Sequence, residues 1–169
     1  MKNTNLKKLV LSAMFAAIAV CLSTFSIPVG ASKCFPVQHM VNVLAAVFLG
    51  PWYGVGIAFV TSLIRNILGT GSLMAFPGSM VGALACGLMY KYTNKLIPTY
   101  VAEIVGTGIF GGLLAFPVAY LIMGRSDAAV FTYILPFLVS TAGGTIIAAV
   151  IITVLEKSRV ITHLKEMIA

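Results

Sequence analysis

The sequence predicts an all-α polytopic membrane protein, a bundle of six transmembrane helices, and three observations carry the prediction. First, between Leu9 and Leu155, a stretch of 147 residues, only seven side chains are charged: Lys33, Arg65, Lys91, Lys95, Glu103, Arg125 and Asp127. Second, hydrophobic residues make up 60% of the 169 residues and charged ones 9%, with a mean hydropathy of +1.05. Water-soluble domains spend about a quarter of their residues on charge, so the solvent of this surface is lipid. Third, the sparse charges and the Gly/Pro punctuation divide the chain into six apolar segments. At this length the chain is expected to form a single integral membrane domain, residues 1–169.

The first segment, about 9–27, has the look of a secretory signal: Lys2, Lys7 and Lys8 precede an apolar run, and Val29-Gly30-Ala31 resembles a cleavage site. Its uncharged run of 19 residues is nevertheless long enough to span a bilayer, and it reads as a retained first helix. A loop, 28–37, carries Pro28, Gly30, Lys33 and Pro36. The second and third segments, 37–49 and 52–68, are separated by the turn dipeptide Gly50-Pro51. Thirteen residues rise only about 20 Å against a hydrocarbon core of about 30 Å. The second segment is therefore either a short span or one arm of a re-entrant hairpin with the third.

A polar island, Gly69-Thr70-Gly71-Ser72, leads into the fourth segment, 77–90; the fifth covers 98–123 and the sixth 128–155. Pro117 and Pro136 fall inside long segments and are expected to kink or locally unwind them. Gly50 and Gly54, Gly78 and Gly82, and Gly108 and Gly112 recur at the four-residue spacing of closely packed helices in lipid.

The net charge of +7 does not point to nucleic acid, because the cations sit at segment ends and form no stripe. Six crossings with both termini inside place Lys2, Lys7, Lys8, Lys91, Lys95, Lys157, Arg159 and Lys165 on the cytoplasmic face. Lys33, Arg65 and Arg125 are left outside. That bias fits the positive-inside rule. A re-entrant pair would leave four crossings with the termini on the same face. Cys21, Cys34 and Cys86 lack metal-ligand spacing; Cys21 and Cys86 read as small apolar packing, and Cys34 falls in a loop.

The densest polar constellation lies on the outer half. Gln38 and Asn42 share a helix face with His39 beside it, and Arg65 and Asn66 close the third segment just before Ser72. Helix-end sealing accounts for such residues; so does a pocket of convergent donors and acceptors for a small polar heterocycle. Glu103 is the one carboxylate inside an apolar segment, and it must be protonated or paired. Thr107 and Arg65 are its candidate partners. Gly69-Thr70-Gly71-Ser72 lacks the spacing and the lysine of a P-loop. His39 and His163 are too few for a metal site, and no cofactor is expected.

A serine–histidine hydrolase would need Ser62, Ser72, Ser79 or Ser140 beside His39 and an oxyanion hole. A self-sufficient proton-coupled carrier would use Glu103, although no inverted repeat is evident. On the first helix, Leu9, Ala13 and Ala17 form a stripe that suits an internal contact or an external partner equally.

The run Lys33-Cys34-Phe35-Pro36-Val37-Gln38-His39, then Asn42, Gly50-Pro51, Arg65-Asn66, Gly69-Thr70-Gly71-Ser72 and Ala75-Phe76-Pro77-Gly78-Ser79-Met80, resembles the ThiW family. These are substrate-binding S components of energy-coupling-factor vitamin transporters. The resemblance implies a non-enzymatic six-helix protein of a prokaryotic plasma membrane. It would capture a thiamine precursor, hydroxyethylthiazole, from outside and associate with a transmembrane coupling protein and two cytoplasmic ATPase subunits. The Leu9, Ala13 and Ala17 stripe matches the alanine pattern with which S components engage the coupling protein. For the pocket the expectation is Gln38, His39, Asn42, Arg65, Asn66, Ser72 and Glu103, with Phe35, Trp52, Tyr53 or Phe76 as stacking surfaces.

Overall fold

The computed structural model describes residues 4–29, 32–127, 129–158, 160, 161, 164 and 166. Lys2, Gly30, Ala31, Ala128, Arg159, His163 and Lys165 lie outside the described residues. The architecture is all-helical apart from one short hairpin. Helix α1 (Thr4–Cys21) ends in a 3₁₀ turn, Leu22–Thr24, and leads to the antiparallel strands β1 (Ile27–Val29) and β2 (Ser32–Cys34). Then follow α2 (Pro36–Phe48), α3 (Pro51–Ile67), α4 (Ala75–Thr93), α5 (Leu96–Ile122) and α6 (Ile134–Lys157).

Prolines open two of these helices. Pro36 and Pro51 occupy the first turn of α2 and α3, where a missing N–H costs nothing. Between them the chain turns at Gly50, whose φ of 86° suits a residue without Cβ. Asn94 ends α4 in the left-handed conformation, its N–H donating to Tyr90 O at 2.8 Å.

The short second segment has a physical explanation. Every residue of α2 from Gln38 to Phe48 is buried, and the helix packs against α1, α3, α4, α5 and α6. A helix wrapped by protein need not match the hydrocarbon thickness itself. Around it, Ile67, Ile97, Leu121, Ile146 and Val150 each keep 60% or more of their surface exposed. Asn42, Thr61, Ser62, Thr99, Glu103, Thr107 and Thr141 are fully buried instead. Apolar outside and polar inside is the arrangement lipid demands. Thr4–Thr24, Leu96–Ile122 and Ile134–Lys157 are long and apolar enough to cross a membrane.

Small residues set the helix spacing. A Cβ at Gly111 would come within 2.7 Å of Gly78 Cα, and one at Gly106 within 3.2 Å of Gly82 Cα, so α4 and α5 meet backbone to backbone. Gly144 does the same for α6, where a Cβ would reach His39 Cβ at 2.7 Å.

Several sequence-based expectations change. The 28–37 loop contains the hairpin, with Ile27 opposite Cys34 and Pro28 opposite Lys33. Helix α6 begins at Ile134 and not near 128, because residues 129–133 form turns. Pro136 therefore sits in the first turn of α6 and kinks nothing. Pro117 does lie within α5, which carries π-helical stretches at Ile104–Gly111 and Val118–Ile122. Arg65, expected both on the outer side and at the pocket, is 2% exposed.

Candidate functional site

Six parts of the chain converge at one end of the bundle on a small cavity of about 40 Å³. Lys33 and Phe35 come from the end of the hairpin, Gln38 and His39 from the first turn of α2, and Arg65 from the last turn of α3. Ser72 comes from the α3–α4 loop, Ala75, Gly78 and Ser79 from the start of α4, and Phe137 and Ser140 from the start of α6. The volume holds about three water-sized spheres at roughly 10–15 Å³ each.

The lining is chemically uneven. Arg65 lays its guanidinium over the Phe35 ring, 3.8 Å from the centroid, a cation–π contact. Its Nε and Nη2 are buried and have no hydrogen-bond acceptor among the described residues. Gln38 spends its amide on Asn42, Nε2 donating to Oδ1 at 3.4 Å, and Gln38 Oε1 is buried and unpaired among the described residues. Buried polar atoms without partners are rare in folded proteins. Among the described residues three of the six such atoms, on Gln38 and Arg65, belong to side chains that line this cavity.

Behind the lining lies a second polar layer. Glu103 Oε1 accepts from Asn42 Nδ2 and Thr107 Oγ1 and shares a hydrogen bond with His39 Nδ1, each at 3.0 Å. Asn42 Nδ2 also donates to Ser79 O at 3.1 Å. Gly82 makes room for this layer, since a Cβ there would collide with Thr107 Oγ1 and lie 2.9 Å from Glu103 Oε2. Glu103 thus holds His39 by its Nδ1, and His39 lines the cavity.

Of the seven residues expected at the pocket, Gln38, His39, Arg65 and Ser72 line the cavity, whereas Asn42 and Glu103 stand one layer behind. Asn66 does not line it either. Its Nδ2 donates to Ser62 O at 2.8 Å and Ser72 O at 3.1 Å, tying down the loop that carries Ser72. Thr107 is a partner of Glu103 as expected, but Arg65 is not, because it turns to Phe35 and His39 takes that place.

Phe35 is the one expected stacking ring that reaches the cavity. Phe76 packs on Phe59 at 5.7 Å, and Trp52 and Tyr53 lie on a groove between α1 and α3. Phe137 was not legible, since a Phe in an apolar segment looks like any lipid-facing residue. Ser140 and Ser79 carried a signal, as hydroxyls within apolar runs, but only packing shows which way they point.

Hydrogen bonds also define the hairpin's seat. Phe35 N–H donates to Ser140 Oγ at 2.7 Å, and the Cys34 thiol donates to Pro136 O at 3.0 Å. Burial pushes the Cys34 thiol above its usual pKa and keeps it neutral. Glu103–His39 resembles the acid–histidine half of a hydrolytic triad. Yet among the described residues no hydroxyl bonds His39; Ser79 Oγ donates to Ala75 O at 2.7 Å, and Ser140 Oγ receives Phe35 N–H. No group of three His, Cys, Asp or Glu side chains gathers among the described residues.

Leu9, Ala13 and Ala17 are all exposed on α1, whose inward face is Ser12, Ala16 and Ala19. Leu9 and Ala13 border the α1–α3 groove, an apolar depression of about 320 Å³.

Comparison with known proteins places this geometry. The model of a family described as thiamine-precursor transporter protein (ThiW) matches residues 9–158. Among solved structures, the S-component for biotin from an ECF-type ABC transporter superposes with a TM-score of 0.65 at 20% identity, covering 94% of each chain. ThiT from Listeria monocytogenes superposes with a TM-score of 0.60 at 19% identity, covering 92% of this chain and 96% of that one. At such identities these two likenesses speak for the fold. No curated protein sequence gives a significant match.

Proposed function

The chain belongs to the ThiW family, and from that premise we propose that it is the substrate-binding subunit of an energy-coupling-factor transporter. In this reading it captures a thiamine precursor, hydroxyethylthiazole, for ATP-driven uptake powered by partner subunits. The observation that carries it is the cavity, with buried and unpaired polar atoms of Arg65 and Gln38 beside the rings of Phe35 and Phe137. Such a wall suits a flat heterocycle with a polar arm. Gln38, His39, Arg65 and Ser72 contact the ligand, while Asn42, Asn66 and Glu103 hold them in place.

The whole chain forms one integral membrane domain. It crosses a prokaryotic plasma membrane six times with both termini cytoplasmic, so the cavity opens outward. The fully buried α2 supports six crossings over a re-entrant pair, since protein satisfies its short length. A transmembrane coupling protein docks on the Leu9, Ala13 and Ala17 face and connects it to two cytoplasmic ATPase subunits. The protein itself performs no chemistry on its ligand.

Reconstitution tests the reading. Proteoliposomes holding this chain with a coupling protein and two ATPases should accumulate labelled thiazole only with ATP, and the chain alone should bind without accumulating. A second reading is kept by the buried His39–Glu103 pair at 3.0 Å, which a proton-coupled carrier could use. Accumulation by the chain alone, driven by a pH gradient and indifferent to ATP, would establish the carrier and discard the subunit.

A further inference from the structure

Among the described residues two cations line the cavity, Lys33 and Arg65, and no carboxylate does. Arg65 is 2% exposed and has no Asp or Glu partner among the described residues. Glu103, the acid nearest behind the lining, already accepts His39, Asn42 and Thr107 on one oxygen. A desolvated guanidinium with no counter-ion is costly, and the cost is relieved when a charge of opposite sign arrives with good hydrogen-bond geometry. Arginine's planar fork matches a carboxylate or a phosphate ester. The face of the guanidinium is already occupied by the Phe35 ring, so the edge carrying Nε and Nη2 is left for a ligand.

We infer that the ligand is an acid: a small heteroaromatic molecule whose side arm ends in a carboxylate or phosphate monoester that pairs with Arg65, with Lys33 adding charge at the rim. This rests on the substrate-binding reading above and replaces its neutral alcohol with an acidic relative, for a neutral thiazole alcohol would leave the Arg65 charge uncompensated. The acceptor Gln38 Oε1 takes a donor from the ring or arm of the same molecule. The enclosed space of about 40 Å³ suits the acid group itself, with the ring lying toward Phe35 and Phe137.

Calorimetry on the purified full chain in detergent separates the cases with three probes: 4-methyl-5-(2-hydroxyethyl)thiazole, its phosphate monoester and 4-methylthiazole-5-acetic acid. One of the two acids should bind roughly tenfold or more tighter than the alcohol, as expected for hydrogen bonds to a charged partner; which one identifies the acid. Arg65→Gln should remove that preference, weakening the preferred acid at least tenfold more than it weakens the alcohol. Lys33 is exposed, so Lys33→Gln should fold normally and reduce the preference in part, which keeps the test alive if Arg65→Gln misfolds. An alcohol that binds as well as both acids, or an Arg65→Gln variant that weakens all three alike, overturns the proposal. If none of the thiazoles binds, the thiazole reading fails, and thermal melting with inorganic phosphate and acetate decides separately. Stabilisation of the wild type by either anion, absent in the Arg65 and Lys33 variants, upholds the acid site; no stabilisation by either overturns it.

Discussion

Glu103 carries its three hydrogen bonds on a single oxygen, and Oε2 is buried without a partner among the described residues. Removing the carboxyl would strand donors from His39, Asn42 and Thr107, each costing about 1–3 kcal/mol when left buried and unpaired. Glu103→Ala should therefore lower the melting temperature in detergent sharply, and Glu103→Gln, which keeps one acceptor oxygen, should lower it less. Because the carboxyl stands behind His39, Glu103→Gln should leave ligand affinity near the wild-type value across pH. A collapse of affinity with stability intact would put the carboxyl in contact with the ligand. The two asparagines divide in the same way. Asn42→Ala loses bonds to Ser79 O and Glu103 and should cost stability of about 1–3 kcal/mol. Asn66→Ala frees the loop holding Ser72 and should weaken ligand binding roughly two- to tenfold, measured by titration.

Among the helices, spacing is set by what is missing from side chains. Gly82→Ala would drive a methyl into Thr107 and against Glu103, forcing α4 and α5 apart at a cost of about 1–3 kcal/mol. Its melting temperature should fall accordingly; an unchanged value would mean that α5, with its π-helical stretches, yields at low cost. Helix α1 presents the opposite situation, a small-residue face with nothing packed on it. Ala13→Trp and Ala17→Trp should abolish uptake by the assembled transporter while ligand binding to the isolated chain persists, because a ring on that stripe blocks close helix approach. Binding lost together with transport would show that these alanines support the fold itself.

At the scale of the molecule, the cavity and the turns mark two ends. Lys33, Arg65 and Ser72 meet at the cavity, and Ser23 Oγ lies 3.3 Å from Thr70 Oγ1, so the hairpin and the α3–α4 loop share one end. The Gly50-Pro51 turn belongs to the other, because Gly87, late in α4, packs against Pro51. In the proposed orientation, with both termini cytoplasmic, cysteines introduced at Ser32 and Gly71 should react with an impermeant maleimide applied outside, and one at Asn94 should not. Cys34 and Cys86 are buried, so replacing Cys21 gives a suitable background. Labelling at Asn94 from outside would reverse the orientation and turn the cavity inward.

The sequence by itself determined the class of solvent, the number of apolar segments and the residues worth suspecting. Charge and hydropathy act through composition and periodicity, which need no knowledge of neighbours. It also singled out Gln38, His39, Arg65 and Ser72, since a polar side chain in an apolar run must have some use. Tertiary structure alone decided which of the suspects share a wall. Helical rise places Glu103 at a depth but not opposite a particular helix, and only the packing of α5 beside α2 and α4, where Gly82 leaves room for the carboxyl, sets it against His39. The same holds for Phe137 and Ser140, which join the cavity because α6 starts beside the hairpin. Contacts between segments far apart in sequence depend on how helix faces interlock, and that information is spread over every residue of the interface.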